Sequence, residues 1–292
     1  MKMIQPIKSE NIPATLRTAL REGGYFVLEA VAALSGGDDF VPPSWLPLAG
    51  DGDFRAVGRE FLRYFVEIGG LSVEDQVLEV GCGLGRMALP LASYLDPAKG
   101  RYVGFDVDKR AIQWCRKRIT PKHNNFEFKH ADVFNAMYHR GGSNEGAAYC
   151  FPFRDESFDF VISTSVFTHM LPKEVGNYIA QISRVMRPGG RCLMTFFLLN
   201  PESLIFMNSG RSELNFAYAY GRYRLLNSKI PEVGVALDQE AVESWCSANG
   251  LTVMEPVRYG SWCGRPNYLS YQDIVLASKR KVGSFVLGRR RA

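Results

Sequence analysis

The chain has no CxxC pair and no run of eighteen apolar residues. Cys82, Cys115, Cys150, Cys192, Cys246 and Cys263 are scattered, which argues against a thiolate zinc site and against a disulfide framework. Several lie inside apolar runs, where a free thiol acts as a small hydrophobe. A reducing cytoplasm is therefore the expected compartment. Without a long apolar run, no membrane-spanning helix is expected. Histidine is scarce too: His123, His130, His139 and His169 show no ligand spacing, so no metal is expected. The N-terminal stretch MKMIQPIKSENIPATLR lacks the apolar centre of a signal peptide. Internal repeats are absent, and the basic tail is the one biased segment.

Acidic residues are slightly outnumbered, 30 against 35 Lys+Arg, for a net charge of +5. Six of the basic residues (Lys279, Arg280, Lys281, Arg289, Arg290 and Arg291) fall between Lys279 and Ala292, where there is no acid. Removing them leaves 29 basic against 30 acidic residues, a body of −1. The charge thus gives no support to a nucleic-acid partner. A hydrophobic fraction of 46% with 22% charged residues is that of a globular chain. A length of 292 residues suits one large α/β domain with elaborations, or two small ones.

Residues 1–53 read as a helical and turn-rich extension. Val57, Phe61, Leu62, Phe65 and Val66 then recur at helical spacing, up to Gly69 and Gly70. Strands follow at 76–80, 102–105, 126–129, 158–163 and 191–199, alternating with helices at 86–95, 109–119 and 172–186. Pro90 predicts a kink in the first of these helices, Asp108 an N-cap for the second, and Arg187-Pro188-Gly189-Gly190 a turn. A helix capped by Asp238 and ended by Asn249-Gly250 precedes two last strands, 252–259 and 271–278. Such alternation predicts a mostly parallel sheet, whose ligands bind beyond the carboxyl ends of the strands. Two long loops on that edge, 134–153 and 200–237, have the length of substrate lids.

Chemistry concentrates at Glu79-Val80-Gly81-Cys82-Gly83-Leu84-Gly85, a strand-to-helix glycine loop. Missing side chains let a ligand approach the backbone, whose N–H groups would serve as donors. The spacing is GxGxG, since position 86 is Arg. Asp106 ends the next strand twenty-one residues after Gly85, where an acid can meet ribose hydroxyls, and Asp132 ends the third. The competing readings are a helix-capping acid for Asp106 and a turn residue for Asp132.

The ordered runs VLEVGCGLGR, VGFDVD, HADV, FDFVISTSVFTHM and VMRPGGR resemble class I S-adenosylmethionine-dependent methyltransferases, over roughly residues 54–279. The resemblance implies a doubly wound, Rossmann-like seven-stranded sheet, six strands parallel and one antiparallel, with S-adenosylmethionine as cofactor. It also implies that Glu79, Gly81, Cys82, Gly83 and Gly85 hold the methionine end and that Asp106 accepts the ribose hydroxyls. Val107 would pack on adenine, Asp132 and Val133 would bind it through the carboxylate and the backbone N–H, and Ser163 would line the methionine side.

Methyl transfer from a sulfonium needs alignment and a dry pocket more than acid–base groups. A base matters only where a hydroxyl must lose its proton. His169 is the candidate for that role; a structural His near a helix start is the competing reading. His139, Tyr220, Tyr223, Trp262 and Arg265 are the candidate substrate contacts, with core packing of a lid as the alternative for the tyrosines. The expected activity is methylation of an oxygen, with nitrogen second, on a small metabolite or glycan precursor. An NAD-dependent oxidoreductase and a non-catalytic binding protein of the same fold are the rival readings. Oligomeric state cannot be read from the sequence.

Overall fold

The computed structural model describes Pro42 and residues 53–281. The rest of the N-terminal extension and residues 282–292 of the tail lie outside the described residues. The described chain forms two compact units, divided between Asp132 and Val133.

The first unit opens with α1 (Phe54–Glu67), capped by Asp53, whose carboxylate accepts the Ala56 N–H at 2.6 Å. Phe61, Leu62 and Phe65 of the stripe read from the sequence are buried, together with Phe54 and Tyr64, while Val57 and Val66 are half-buried. Then follow β1 (Gln76–Val80), α2 (Ala88–Tyr94), β2 (Arg101–Asp106), α3 (Lys109–Arg118) and β3 (Phe126–His130). The strands β1, β2 and β3 are parallel neighbours, so Val80, Asp106 and His130 all end at one edge. Pro90 makes no mid-helix kink. It stands in the first turn of α2, where its missing N–H would have had no helical partner. Asp108 caps α3 as expected, accepting from Arg110 N–H at 2.8 Å.

The second unit holds β4 (Phe158–Ser163), α4 (Pro172–Val185), β5 (Met186–Phe196), α6 (Gln239–Ala248), β10 (Leu251–Val253) and β11 (Asp273–Lys279). Strand order here is β10-β11-β5-β4. β4 runs parallel to β5, and β11 is antiparallel to both of its neighbours. The sheet counts seven strands, six parallel and one antiparallel, with flanking helices: the doubly wound, Rossmann-like α/β class.

The strand limits that differ most from expectation are in β5 and β10. β5 starts at Met186, because Arg187-Pro188-Gly189-Gly190 forms an irregularity within the strand: Phe158 pairs with Met186 but Phe160 with Arg191. Gly189, at φ +83, lets the chain bulge there. β10 stops at Val253, ahead of Pro256, which cannot donate to a ladder.

Residues 200–237, expected as a lid, belong to a second, four-stranded sheet. Its order is β6 (Leu198–Leu199), β9 (Val235–Asp238), β8 (Tyr223–Leu225) and β7 (Tyr218–Tyr220), with α5 (Pro201–Asn208) after β6. Phe197, Leu199, Phe216, Ala236, Trp262 and Cys263 form the core beside it.

Candidate active site

In the first unit the glycine loop is tied to the end of β2 by its own backbone. The N–H groups of Gly81 and Cys82 both donate to the Phe105 carbonyl, at 2.8 and 3.1 Å, and Gly85 N–H donates to the Cys82 carbonyl at 2.9 Å. Gly83 N–H donates to Asp106 Oδ2 at 2.7 Å, while Asp106 Oδ1 accepts from Asp108 N–H at 2.8 Å. The N–H groups of Gly81, Cys82, Gly83 and Gly85, expected to meet a ligand, thus have partners in β2, Asp106 and the loop itself. What the loop offers is room. A Cβ on Gly83, whose φ is +49, would have no neighbour within 4 Å. On Gly85 it would lie 2.7 Å from Ile119 Cδ1, so that glycine serves helix packing.

The Val107 N–H also bonds the Asp106 carboxylate, whose two oxygens together keep acceptor capacity beyond these backbone bonds, as a ribose diol requires. Burial raises its pKa, and the backbone N–H groups counter that. Glu79 is 2% exposed and accepts a short hydrogen bond from the Tyr102 hydroxyl. Burial pushes the Glu79 carboxyl up to about 8; the Tyr102 bond pulls it down and the Asp106 charge adds to the rise. A buried carboxyl poised this way gains a partner when a cationic group enters. Cys82 is buried and its thiol is driven well up, chiefly by desolvation, so it acts as an apolar neighbour and no nucleophile. Behind the edge, the His130 ring bonds the Val107 carbonyl (Nε2 to O, 3.1 Å), and Ala131 N–H donates to the Asp106 carbonyl at 2.9 Å. Val107 and Asp132 are half-buried. An open face at Gly83, a paired-acceptor carboxylate at Asp106 and a buried acid at Glu79 fit the sugar and the cationic end of S-adenosylmethionine.

In the second unit, Ser163 ends β4 fully buried, its hydroxyl without a partner. Val133 is buried and bridges to Asn144. His169 closes the turn Phe167–His169 after β4, with Nδ1 2.7 Å from the Glu232 carbonyl oxygen. A carbonyl can only accept, so Nδ1 carries the proton and Nε2 is left with its lone pair. Desolvation lowers the pKa of the ring, against a rise from the Glu232 bond, which favours the neutral form. Asn135 Nδ2 donates to the His169 carbonyl at 3.4 Å, and Ala136 N–H to Glu232 Oε1 at 3.4 Å. The Tyr138 ring stands edge-on to His169 at 5.5 Å. Both long insertions thus meet at His169.

The proposed substrate contacts divide. His139 closes a small turn with Asn135 through paired backbone bonds of 3.0 and 2.9 Å. Tyr220 and Tyr223 stack on each other at 5.4 Å across the β7–β8 hairpin, a self-contained pair. Trp262 and Arg265 are corrected outright. Trp262 is 0% exposed and its Nε1 donates to Asp273 Oδ2 at 2.7 Å. Arg265 is buried between Glu202 (2.7 Å) and Asp273 (3.2 Å), its guanidinium 4.6 Å from the Tyr259 ring centroid. Asp273 also accepts from Leu198 N–H and Gly260 N–H, both at 2.7 Å. These residues lock a loop and do not face a substrate. Tyr102, Glu232 and Asp273 escaped sequence reading; only Asp273, an acid opening an apolar strand, left a signal there.

Residues 78–194 match the family described as "Methyltransferase domain". Phthiotriol/phenolphthiotriol dimycocerosates methyltransferase of Mycobacterium tuberculosis is 35% identical over 152 residues, 51% of this chain and 47% of that protein. Fatty-acid O-methyltransferase of Mycolicibacterium smegmatis is 31% identical over 168 residues, 56% and 52% of the two chains. The chain spans about half the length of these curated relatives. A crystal structure of a SAM-dependent methyltransferase from Methanosarcina mazei shares the fold at TM-score 0.50 and 18% identity, covering 74% of this chain and 97% of that one. Residues 78–194 are accordingly a methyltransferase domain.

Proposed function

We propose that the chain transfers a methyl group from S-adenosylmethionine to an oxygen of a small-molecule acceptor, a metabolite or glycan precursor. One observation carries the reading: Asp106, at the carboxyl end of β2, grips Gly83 N–H beside a face that has room for a ligand. The cofactor supplies an electrophilic methyl group on a sulfonium that leaves as a neutral thioether. Asp106 accepts the ribose hydroxyls, and Glu79 with Gly81, Cys82, Gly83 and Gly85 surrounds the methionine end. Val107 and Asp132 hold the adenine.

Oxygen is favoured because His169 presents a neutral Nε2 acceptor, able to take the proton of a hydroxyl. The fatty-acid enzyme among the relatives is itself named an O-methyltransferase. His139, Tyr220 and Tyr223 remain the proposed acceptor contacts. No helix among the described residues is long and apolar enough to cross a membrane. The six free thiols suit a cytoplasmic setting.

Isothermal titration with S-adenosylhomocysteine and with NAD tests the reading; binding of NAD alone overturns it. Asp106→Ala should weaken S-adenosylhomocysteine about tenfold or more, since two charge-assisted hydrogen bonds are lost. Affinity within about twofold would refute the ribose contact.

A further inference from the structure

Ser165 is not glycine, yet it sits at φ +57, two residues past the end of β4. Such a conformation is costly and is kept where the surroundings enforce it, often at functional positions. Here the enforcement is visible. Ser165 N–H donates to Thr195 Oγ1 at 2.8 Å, Thr195 Oγ1 lies 2.6 Å from Gln272 Oε1, and Ser165 Oγ lies 3.2 Å from the same oxygen. Three side chains from the ends of β4, β5 and the start of β11 close a ring.

The ring has one direction at each bond. Thr195 Oγ1 uses a lone pair on the Ser165 N–H, so its single proton is free to go to Gln272. The Gln272 atom at both hydroxyls is Oε1, which accepts from each, so the amide nitrogen faces away from them. Thr195 is fully buried, Gln272 half-buried and Ser165 exposed, which anchors the ring at its base and opens it at its tip. Gln272 therefore carries two N–H donors that the ring does not use, at the edge of the sheet where open α/β folds bind ligands. An ionised carboxyl group is acceptor-only, the complement of that donor pair.

We propose that Gln272 binds a carboxylate of the methyl acceptor, with Ser165 and Thr195 as the positioning residues that aim its amide. The acceptor class is then a carboxylic acid. If the carboxylate itself takes the methyl group, the products are the neutral ester and the thioether, and no proton moves. This deepens the methyltransferase reading and rests on it.

Gln272→Glu is the decisive variant, because the ring survives: one carboxylate oxygen still accepts both hydroxyls, and only the outward group changes from donor to anion. Binding of octanoate, benzoate and octanol to the S-adenosylhomocysteine-loaded protein is followed by ligand-observed NMR, with thermal unfolding as the fold control. Octanoate or benzoate should bind the parent protein and weaken about tenfold or more in Gln272→Glu, with octanol unaffected. Thr195→Val, which frees the amide to turn, should give an intermediate loss. Equal carboxylate binding by parent and Gln272→Glu overturns the proposal, as does a parent that binds neither carboxylate. S-adenosylhomocysteine titration of the parent alone reports separately on the methyltransferase reading.

Discussion

At the scale of single residues, Glu79 has the most to reveal. Its carboxyl is held near 8 by burial, so in the ligand-free protein near neutral pH it is mostly protonated. Its folded-state pKa lies above the unfolded one, so its contribution to stability is full below the unfolded pKa. That contribution is lost as pH rises from about 4.5 through about 8. A cationic ligand group beside it reverses the preference and expels the proton. S-adenosylhomocysteine, whose ammonium would meet Glu79, should therefore bind more tightly at pH 8 than at pH 6. Titrations in buffers of different ionisation enthalpy should detect the released proton. Glu79→Gln should abolish the release. Tyr102→Phe removes the hydrogen bond that lowers the Glu79 pKa, so it should move the midpoint to higher pH.

Among elements, the glycine loop separates two duties that its sequence spacing merges. Gly83→Ala puts a methyl group into open space, costs about 1–2 kcal/mol in backbone strain, and should mainly weaken cofactor binding. Gly85→Ala meets Ile119 at 2.7 Å with φ at +82. It should destabilise by roughly 2–4 kcal/mol, strain and overpacking together. Calorimetric titration beside chemical denaturation distinguishes the two. The loop 260–270 has its own keystone. Asp273, held up at about 6 by burial, gathers Leu198, Gly260, Trp262 and Arg265 around one carboxyl. Asp273→Ala leaves the buried Leu198, Gly260 and Trp262 donors unpaired and Arg265 with Glu202 as its remaining carboxylate, and should cost about 3–5 kcal/mol in urea unfolding.

Over the whole molecule, what could be read in the sequence was what is local. Asp53 lay outside that reading, but the caps at Asp108 and Asp238, the stripe of α1, the glycine loop and the acid at the end of β2 all follow from neighbours a few residues apart. The four-stranded sheet was not legible, because Leu198 pairs with Leu237 across a segment that has its own helix and hairpin. Trp262 and Arg265 look like surface recognition residues in their own loop; Asp273 and Glu202 make them core. His169 was found, but the Glu232 carbonyl that sets its tautomer stands 63 residues away. The cysteines give a global check. All six are free, and Cys150 alone is exposed. Titration of the native protein with a thiol reagent should show one fast thiol, and the other five only on unfolding.

The position of β11 has a consequence for the chain as it is made. It is the strand between β10 and β5, yet it is translated after both. From Phe196 to Asp273 is 77 residues, roughly 4–15 s of synthesis at about 5–20 residues per second. Through that interval the nascent chain carries β5, apolar from Cys192 to Phe196 except for Thr195, with one flank unpaired. An open edge of that kind invites pairing with another chain. Ribosome-bound chains stopped before Asp273 are thus natural clients for a chaperone, and released chains that include β11 are not.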